Sequence, residues 1–174
     1  MKRKMLTDYN VSYIADIVSI VQAQSKITLA KWAIDYAEDV ILKIWMKHYP
    51  DDSRPNEAIT AARRWLTGEV KLPYAKCRIL DCHAAAREVE FNLAAFISAR
   101  AIAQCASAIH SARHCMGLVM YGSLAIAYDK LGYDASKAEI DECVKDECIR
   151  MKDALVRISV DNEKNPIGKV ISKE

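Results

Sequence analysis

The sequence predicts an all-α fold, a compact bundle of about six or seven helices with Ala-rich central helices, and three observations carry that prediction. Five glycines and four prolines in 174 residues leave too few turns for a barrel or sandwich, which needs a turn signal roughly every 8–12 residues. Apolar residues recur at the 3.6-residue period of a helix along most of the chain. Residues Ala84 through Ala112 include 11 alanines in 29 positions. Alanine is the best helix former and lets backbones approach closely, so this stretch belongs at the centre.

The elements follow in order. Ile14, Ile17, Val18 and Val21 form a first stripe, with Asn10 or Ser12 as its cap. Thr28 is placed to cap a second helix, whose stripe runs Trp32, Tyr36, Val40, Ile44 and which Pro50 stops. The run Asp51-Asp52-Ser53-Arg54-Pro55 is the sharpest punctuation in the chain. Asp52 or Ser53 caps the next helix there, and Pro55 in the first turn sacrifices no hydrogen bond. Ala58, Ile59, Ala62 and Trp65–Leu66 line that helix, and Gly68 sits at its C-terminal cap. Pro73 opens a long stretch without glycine, to Gly117, with a break expected near Phe91–Asn92. The second half is read as continuing through Gly117 to Tyr128. Gly132 ends it, Asp134 or Ser136 caps the last helix, and Ile140, Val144, Glu147–Cys148, Met151, Leu155 and Ile158 form the final stripe. The expected organisation is an N-terminal helix (1–27) packed on the bundle, a helical domain (28–160) and a flexible C-terminal tail (161–174).

Charge and composition narrow the partners. Twenty-five basic and 23 acidic residues give a net charge of +2, with neither a basic arm nor an acidic tail, so neither nucleic acid nor an anionic membrane is expected as partner. Asp8, Asn10 and Asp16 interrupt any signal-peptide core after Lys2, Arg3 and Lys4, and no run approaches a membrane-spanning length. The expected location is the cytoplasm, where the six cysteines stay reduced. Their spacing forms no zinc knuckle, and all six read as buried or half-buried hydrophobes.

No nucleotide-binding loop or nucleophile elbow occurs. Three constellations carry polar chemistry. In the Pro50–Pro55 turn, Asp51 and Asp52 suit the positive end of a helix dipole, or present carboxylates and Arg54 to a partner. In His83-Ala84-Ala85-Ala86-Arg87, four-residue spacing puts His83 and Arg87 on one face across an alanine groove. That groove suits an anion, or a carboxylate such as Asp52 reaching Arg87 across the bundle. In His110-Ser111-Ala112-Arg113-His114, two histidines at i and i+4 on one helix have metal-pair spacing. A zincin would need Glu where Ser111 stands, and no Glu-x-x-His supports a di-iron centre. Asp51 or Asp52 could complete such a site in space.

The stretch Trp32-Ala33-Ile34-Asp35-Tyr36-Ala37-Glu38, followed by Tyr49-Pro50-Asp51-Asp52-Ser53-Arg54-Pro55 and Ala58-Ile59-Thr60-Ala61-Ala62-Arg63-Arg64-Trp65, resembles a family of small all-α immunity proteins of bacteria, described as immunity protein five-like and linked to polymorphic toxin systems. His83 to Glu88 match the family's His-Ala-Ala-Ala-Arg-Glu helix, and His110 and His114 match its paired histidines. The resemblance covers roughly residues 30–130. It implies a cognate toxin as partner, no cofactor and binding rather than catalysis, through a rigid helical surface drawn from Asp51, Asp52, Arg54, Trp65, His83, Arg87, His110 and His114, with Arg63, Arg64, Lys71, Lys76 and Arg78 as further contacts. The alternatives are a metal-dependent helical enzyme using His110, His114, Asp51 and Asp52, and a homodimer joined through the last helix. Arg87 and at least one histidine are expected to share a polar cluster with the Pro50–Pro55 turn, so that Arg87→Ala would cost roughly 3–5 kcal/mol.

Overall fold

The computed structural model describes residues 2–170. In chain order the helices are α1 (Ser12–Gln22), α2 (Lys26–Tyr36), α3 (Leu42–His48), α4 (Arg54–Leu66), α5 (Leu72–Glu88), α6 (Leu93–Ser107), α7 (Ser123–Leu131) and α8 (Lys137–Ile158). No strand occurs among the described residues. A π-helical turn, Ala37–Ile41, joins α2 to α3 in one rod, so the described residues form seven rods. A second π turn, Leu118–Gly122, leads into α7. Each π turn inserts one extra residue into its rod, and the two pack against each other and against α6. A methyl group on Gly122 would already crowd Ile41 Cδ1 at 3.2 Å.

Helix α6 is the centre. From Ala94 to Ile109 every residue is buried except Arg100 and Gln104. Helices α3, α4, α5 and α7 pack around it, and small side chains let them come close. Its polar members cause no deficit: Ser98 and Ser107 donate to the Ala95 and Ala103 carbonyls of the same helix, both at 2.8 Å. The expected break before it is present, with Asn92 Oδ1 accepting the Ala95 N–H.

The expected continuation of this helix to Tyr128 is wrong. Helix α6 stops at Ser107, and the chain turns through residues 108–111 and re-enters as a 3₁₀ turn, Ala112–Cys115. The returning rod then packs back on α6. Gly117 makes that close approach feasible, because a Cβ there would overlap Gln104 Cβ and Cγ. Apolar periodicity runs unbroken through the turn because both rods bury the same kind of face.

Several caps also differ from expectation. Ser25, not Thr28, caps α2, its hydroxyl accepting the Thr28 N–H. Neither Asn10 nor Ser12 caps α1; Val11 holds that position without a side-chain bond. Ser136 caps α8 as expected, in a reciprocal capping box with Glu139. Gly68 and Gly132 both take positive φ where their helices end. In α8 the stripe from Ile140 to Leu155 is buried, but Ile158 is exposed. Glu147 is 3 % exposed and is held by Lys130 at 2.5 Å and Arg150 at 3.1 Å. Of the cysteines, Cys82, Cys105, Cys115 and Cys148 are buried and Cys143 is partly buried, but Cys77 is exposed, against the expectation.

The segment 161–170 returns to the turn between α1 and α2. Val160 N–H donates to Gln24 Oε1 at 2.7 Å, and the Ile167 and Gly168 N–H groups donate to the Gln24 and Gln22 carbonyls. Residues 171–174 of the expected tail lie outside the described residues. No helix among the described residues is long and apolar enough to cross a membrane.

Gly117→Val should therefore destabilise the protein by roughly 1–3 kcal/mol, the usual cost of overpacking a filled contact. Urea unfolding checks this; a variant with an unchanged midpoint would show that the two rods are not in contact at Gln104.

Candidate functional site

The Pro50–Pro55 turn is a joint between rods. The indole of Trp45 donates to the Asp52 carbonyl at 2.9 Å. Asp52 Oδ1 accepts the Arg54 N–H at 3.1 Å, and the carboxylate also takes the Arg54 guanidinium at 2.6–3.1 Å. Arg54 then reaches α5, donating to both carboxylate oxygens of Glu88 at 2.9 and 2.6 Å. Hydrogen bonds from Arg54 hold the Asp52 carboxyl below its usual range and do the same for Glu88. Ser53 donates to Glu57 at 2.6 Å instead of capping the helix. Asp51 is exposed.

The other basic candidates on α4 and early α5 are mostly engaged. Arg63 pairs with Asp35 at 2.8 Å and with Glu38. Arg64 pairs with Glu69 at 3.3 Å, and Arg78 with Glu57 and Asp81. Trp65 is partly buried, with the Lys26 ammonium 5.7 Å from its ring centroid.

The expected cluster of Arg87, a histidine and this turn does not form. Arg87 is exposed and makes no ion pair among the described residues. The turn bonds Glu88, the next residue, which points roughly 100° further round the helix and leaves Arg87 facing away. The histidines also differ from expectation. His110 and His114 are not on one helix, because the turn after α6 intervenes, yet their rings still meet with centroids 5.6 Å apart.

Arg87, His83 and the paired histidines belong to a different face, built from α5, α6 and residues 110–121. Arg100 Nη1 donates to His83 Nδ1 at 3.2 Å, and its guanidinium lies 5.8 Å from the Tyr121 ring centroid. His114 Nδ1 donates to Gln104 Oε1. Lys76, Leu80, His83 and Arg87 follow one face of α5 at three- and four-residue steps. Burial, then Arg100, Arg87 and His114, push the His83 imidazole down to about 4. Burial, then Lys76, His114 and Lys26, lower His110, and burial lowers His114. Every charged neighbour acting on these rings is basic.

The hairpin α5–α6 has an asymmetric set of partners. Its carboxylates are all engaged: Asp81 by Arg78, Glu88 by Arg54 and Glu90 by Lys4. Lys76, Arg87 and Arg100 have no carboxylate partner among the described residues. The two most exposed large apolar side chains described, Leu80 at 65 % and Phe91 at 83 %, lie on this same hairpin. Beside it runs an open groove of about 380 Å³, lined among others by Tyr9, Gln104, Arg113, His114 and Tyr121. Sequence reasoning missed Arg100, Gln104, Leu80, Phe91 and Tyr121. Arg100 and Gln104 did carry a signal, being the long polar residues, four apart, in an otherwise apolar helix.

Among the described residues, no group of three or more His, Cys, Asp or Glu is arranged to hold a metal ion. Asp52 is bound by Arg54, while His114 is bonded to Gln104 on the other face, so the alternative set of His110, His114, Asp51 and Asp52 is not brought together. Fold and face define an all-α bundle that displays its polar groups openly. The chain belongs to the Imm-5 like putative immunity protein family, whose model matches residues 19–154. That span runs beyond the 30–130 of the sequence resemblance, from the end of α1 through most of α8. Membership implies a toxin partner in general. Comparisons with curated proteins and with solved structures found no match.

Arg87→Ala should change stability by no more than about 0.5 kcal/mol, as for other unpaired surface residues, in place of the large loss expected from sequence. Arg54→Ala should lower the thermal midpoint measurably, because it unties α4 from α5; equal midpoints for the two variants would contradict the pairing.

The histidines set a pH dependence. Their folded values lie below the ordinary 6.5, that of His83 at about 4. Between pH 6.5 and 4 the unfolded chain therefore takes up protons that the folded chain refuses. Their contribution is intact above pH 6.5 and is lost as pH falls toward 4. Thermal melts between pH 7.5 and 4.5 should show a falling midpoint, with a shallower fall in His83→Asn; a flat profile for the parent would contradict the half-buried neutral ring.

Proposed function

We propose that the protein neutralises a toxin by binding it, without chemistry of its own, through the face formed by α5, α6 and residues 110–121. The carrying observation is that one hairpin displays the two most exposed large apolar side chains and three cations without a carboxylate partner, with all its carboxylates engaged by other cations. Apolar anchors among polar groups are the pattern of an interface, and unbalanced charge steers encounter with an acidic partner. His83, Arg87, His110 and His114 belong to the contact surface in this reading. Asp52 and Arg54 act behind it, fixing the hairpin against α4, while Asp51 and Trp65 are not assigned to the contact. No cofactor is required. A cytoplasmic setting suits six free thiols.

A second reading, a homodimer through the last helix, draws on the exposed Ile149, Val156 and Ile158 of α8. Sedimentation over a concentration series separates the two, since toxin binding through α5–α6 needs only a monomer.

Co-production with the product of the adjacent gene tests the main reading. The parent should protect cells and bind that product, and Leu80→Glu should weaken binding at least tenfold, about 1.4 kcal/mol, and abolish protection. Lys145→Glu on α8 should leave both unchanged. Full protection by a folded Leu80→Glu protein, or preferential binding of RNA by the parent, would overturn this assignment.

A further inference from the structure

We propose that Arg100 anchors a carboxylate-binding subsite, formed with His83, Gln104, His114 and Tyr121, between α5 and the returning segment 112–121. Arg100 and Gln104, one turn apart, are the two places where the buried α6 reaches the surface between Ala94 and Ile109. A guanidinium has five N–H donors in a planar fork. Here one bonds His83 Nδ1 and the plane lies over Tyr121, while no carboxylate of the described residues answers its charge. The guanidinium is already partly removed from water, so part of the desolvation cost of pairing is met before a ligand arrives.

The neighbouring groups select the ligand. Because His83 Nδ1 accepts from Arg100, a proton on the neutral ring sits on Nε2, which offers a second donor. Arg87 lies one turn from His83 on α5, and His114, fixed by Gln104, approaches from the returning segment. The charged and titratable groups facing His83 are thus Arg87 from its own helix, Arg100 from α6 and His114 from the segment beyond. None is acidic. A planar carboxylate matches the fork with two parallel hydrogen bonds. Its charge would offset part of the positive charge around His83, so that binding favours protonation of the ring. The ligand class is a carboxylate, from an Asp or Glu side chain or a chain terminus; assigning it to the toxin rests on the docking face proposed above.

NMR titration of His83 tests the subsite. In sodium acetate, against sodium chloride at equal ionic strength, the His83 titration should move upward, read above about pH 5 where acetate is ionised. A tetraglutamate peptide with blocked ends and a tetra-alanine peptide with a free C-terminus then identify which source is preferred. Arg100→Gln, verified as folded, should remove the response. Arg100→Lys, which keeps the charge and loses the fork, should weaken peptide binding about tenfold. An unmoved His83, the same shift in Arg100→Gln, or tighter binding of inorganic phosphate than of either peptide would overturn the proposal. The two readings fail separately. If acetate moves His83 through Arg100 while Leu80→Glu still protects, the subsite stands and the docking face falls. If acetate does nothing while Leu80→Glu abolishes protection, the face stands and the subsite falls.

Discussion

The close packing of α6 is the constraint from which the rest of this structure follows. A helix buried along almost its whole circumference can be surrounded by other rods only if its side chains are short, and alanine and serine supply that shortness. The same demand fixes its neighbours. Gly117 stands where the returning rod meets Gln104, and Gly122 stands where the two π turns touch. Each hydroxyl on α6 bonds a carbonyl of its own helix, so the tight fit leaves neither Ser98 nor Ser107 unsatisfied.

Because α6 is enclosed, the little of it that reaches the surface is chemically distinctive. Arg100 and Gln104 emerge through the gap between α5 and the returning segment, where they hold His83 and His114 in place. Core and candidate site are thus two aspects of one helix. Rods packed this tightly present their surface groups with little freedom to rearrange, which suits recognition of a preformed partner.

The motif with the clearest signature has a different use. Pro50 to Pro55 reverses the chain between α3 and α4, and Arg54 spends its charge on Asp52 and Glu88. The joint therefore acts on the α5–α6 face through position, fixing α5 against α4. Elsewhere the same kind of tie recurs: Glu147 is buried in α8 and held by Lys130 and Arg150.

Local physics determined much of this from sequence. Helical period, the Asn92 break, the Gly68 and Gly132 ends and the Ser136 cap depend on a few adjacent residues, so the class of fold and most elements were legible. The family was also legible, since its motifs are short and contiguous. Tertiary structure alone decided where α6 ends and which groups pair. Apolar spacing cannot distinguish one rod from two that share a buried face, so His110 and His114 could not be assigned to a turn. Adjacent helical residues point roughly 100° apart, and sequence does not say which of Arg87 and Glu88 a neighbouring helix will meet. That single rotation turned Arg87 from an expected structural tie into a displayed cation. Exposure of Leu80 and isolation of Arg100 have the same origin: both depend on what the other rods do not cover, a property of the assembled bundle and of no segment within it.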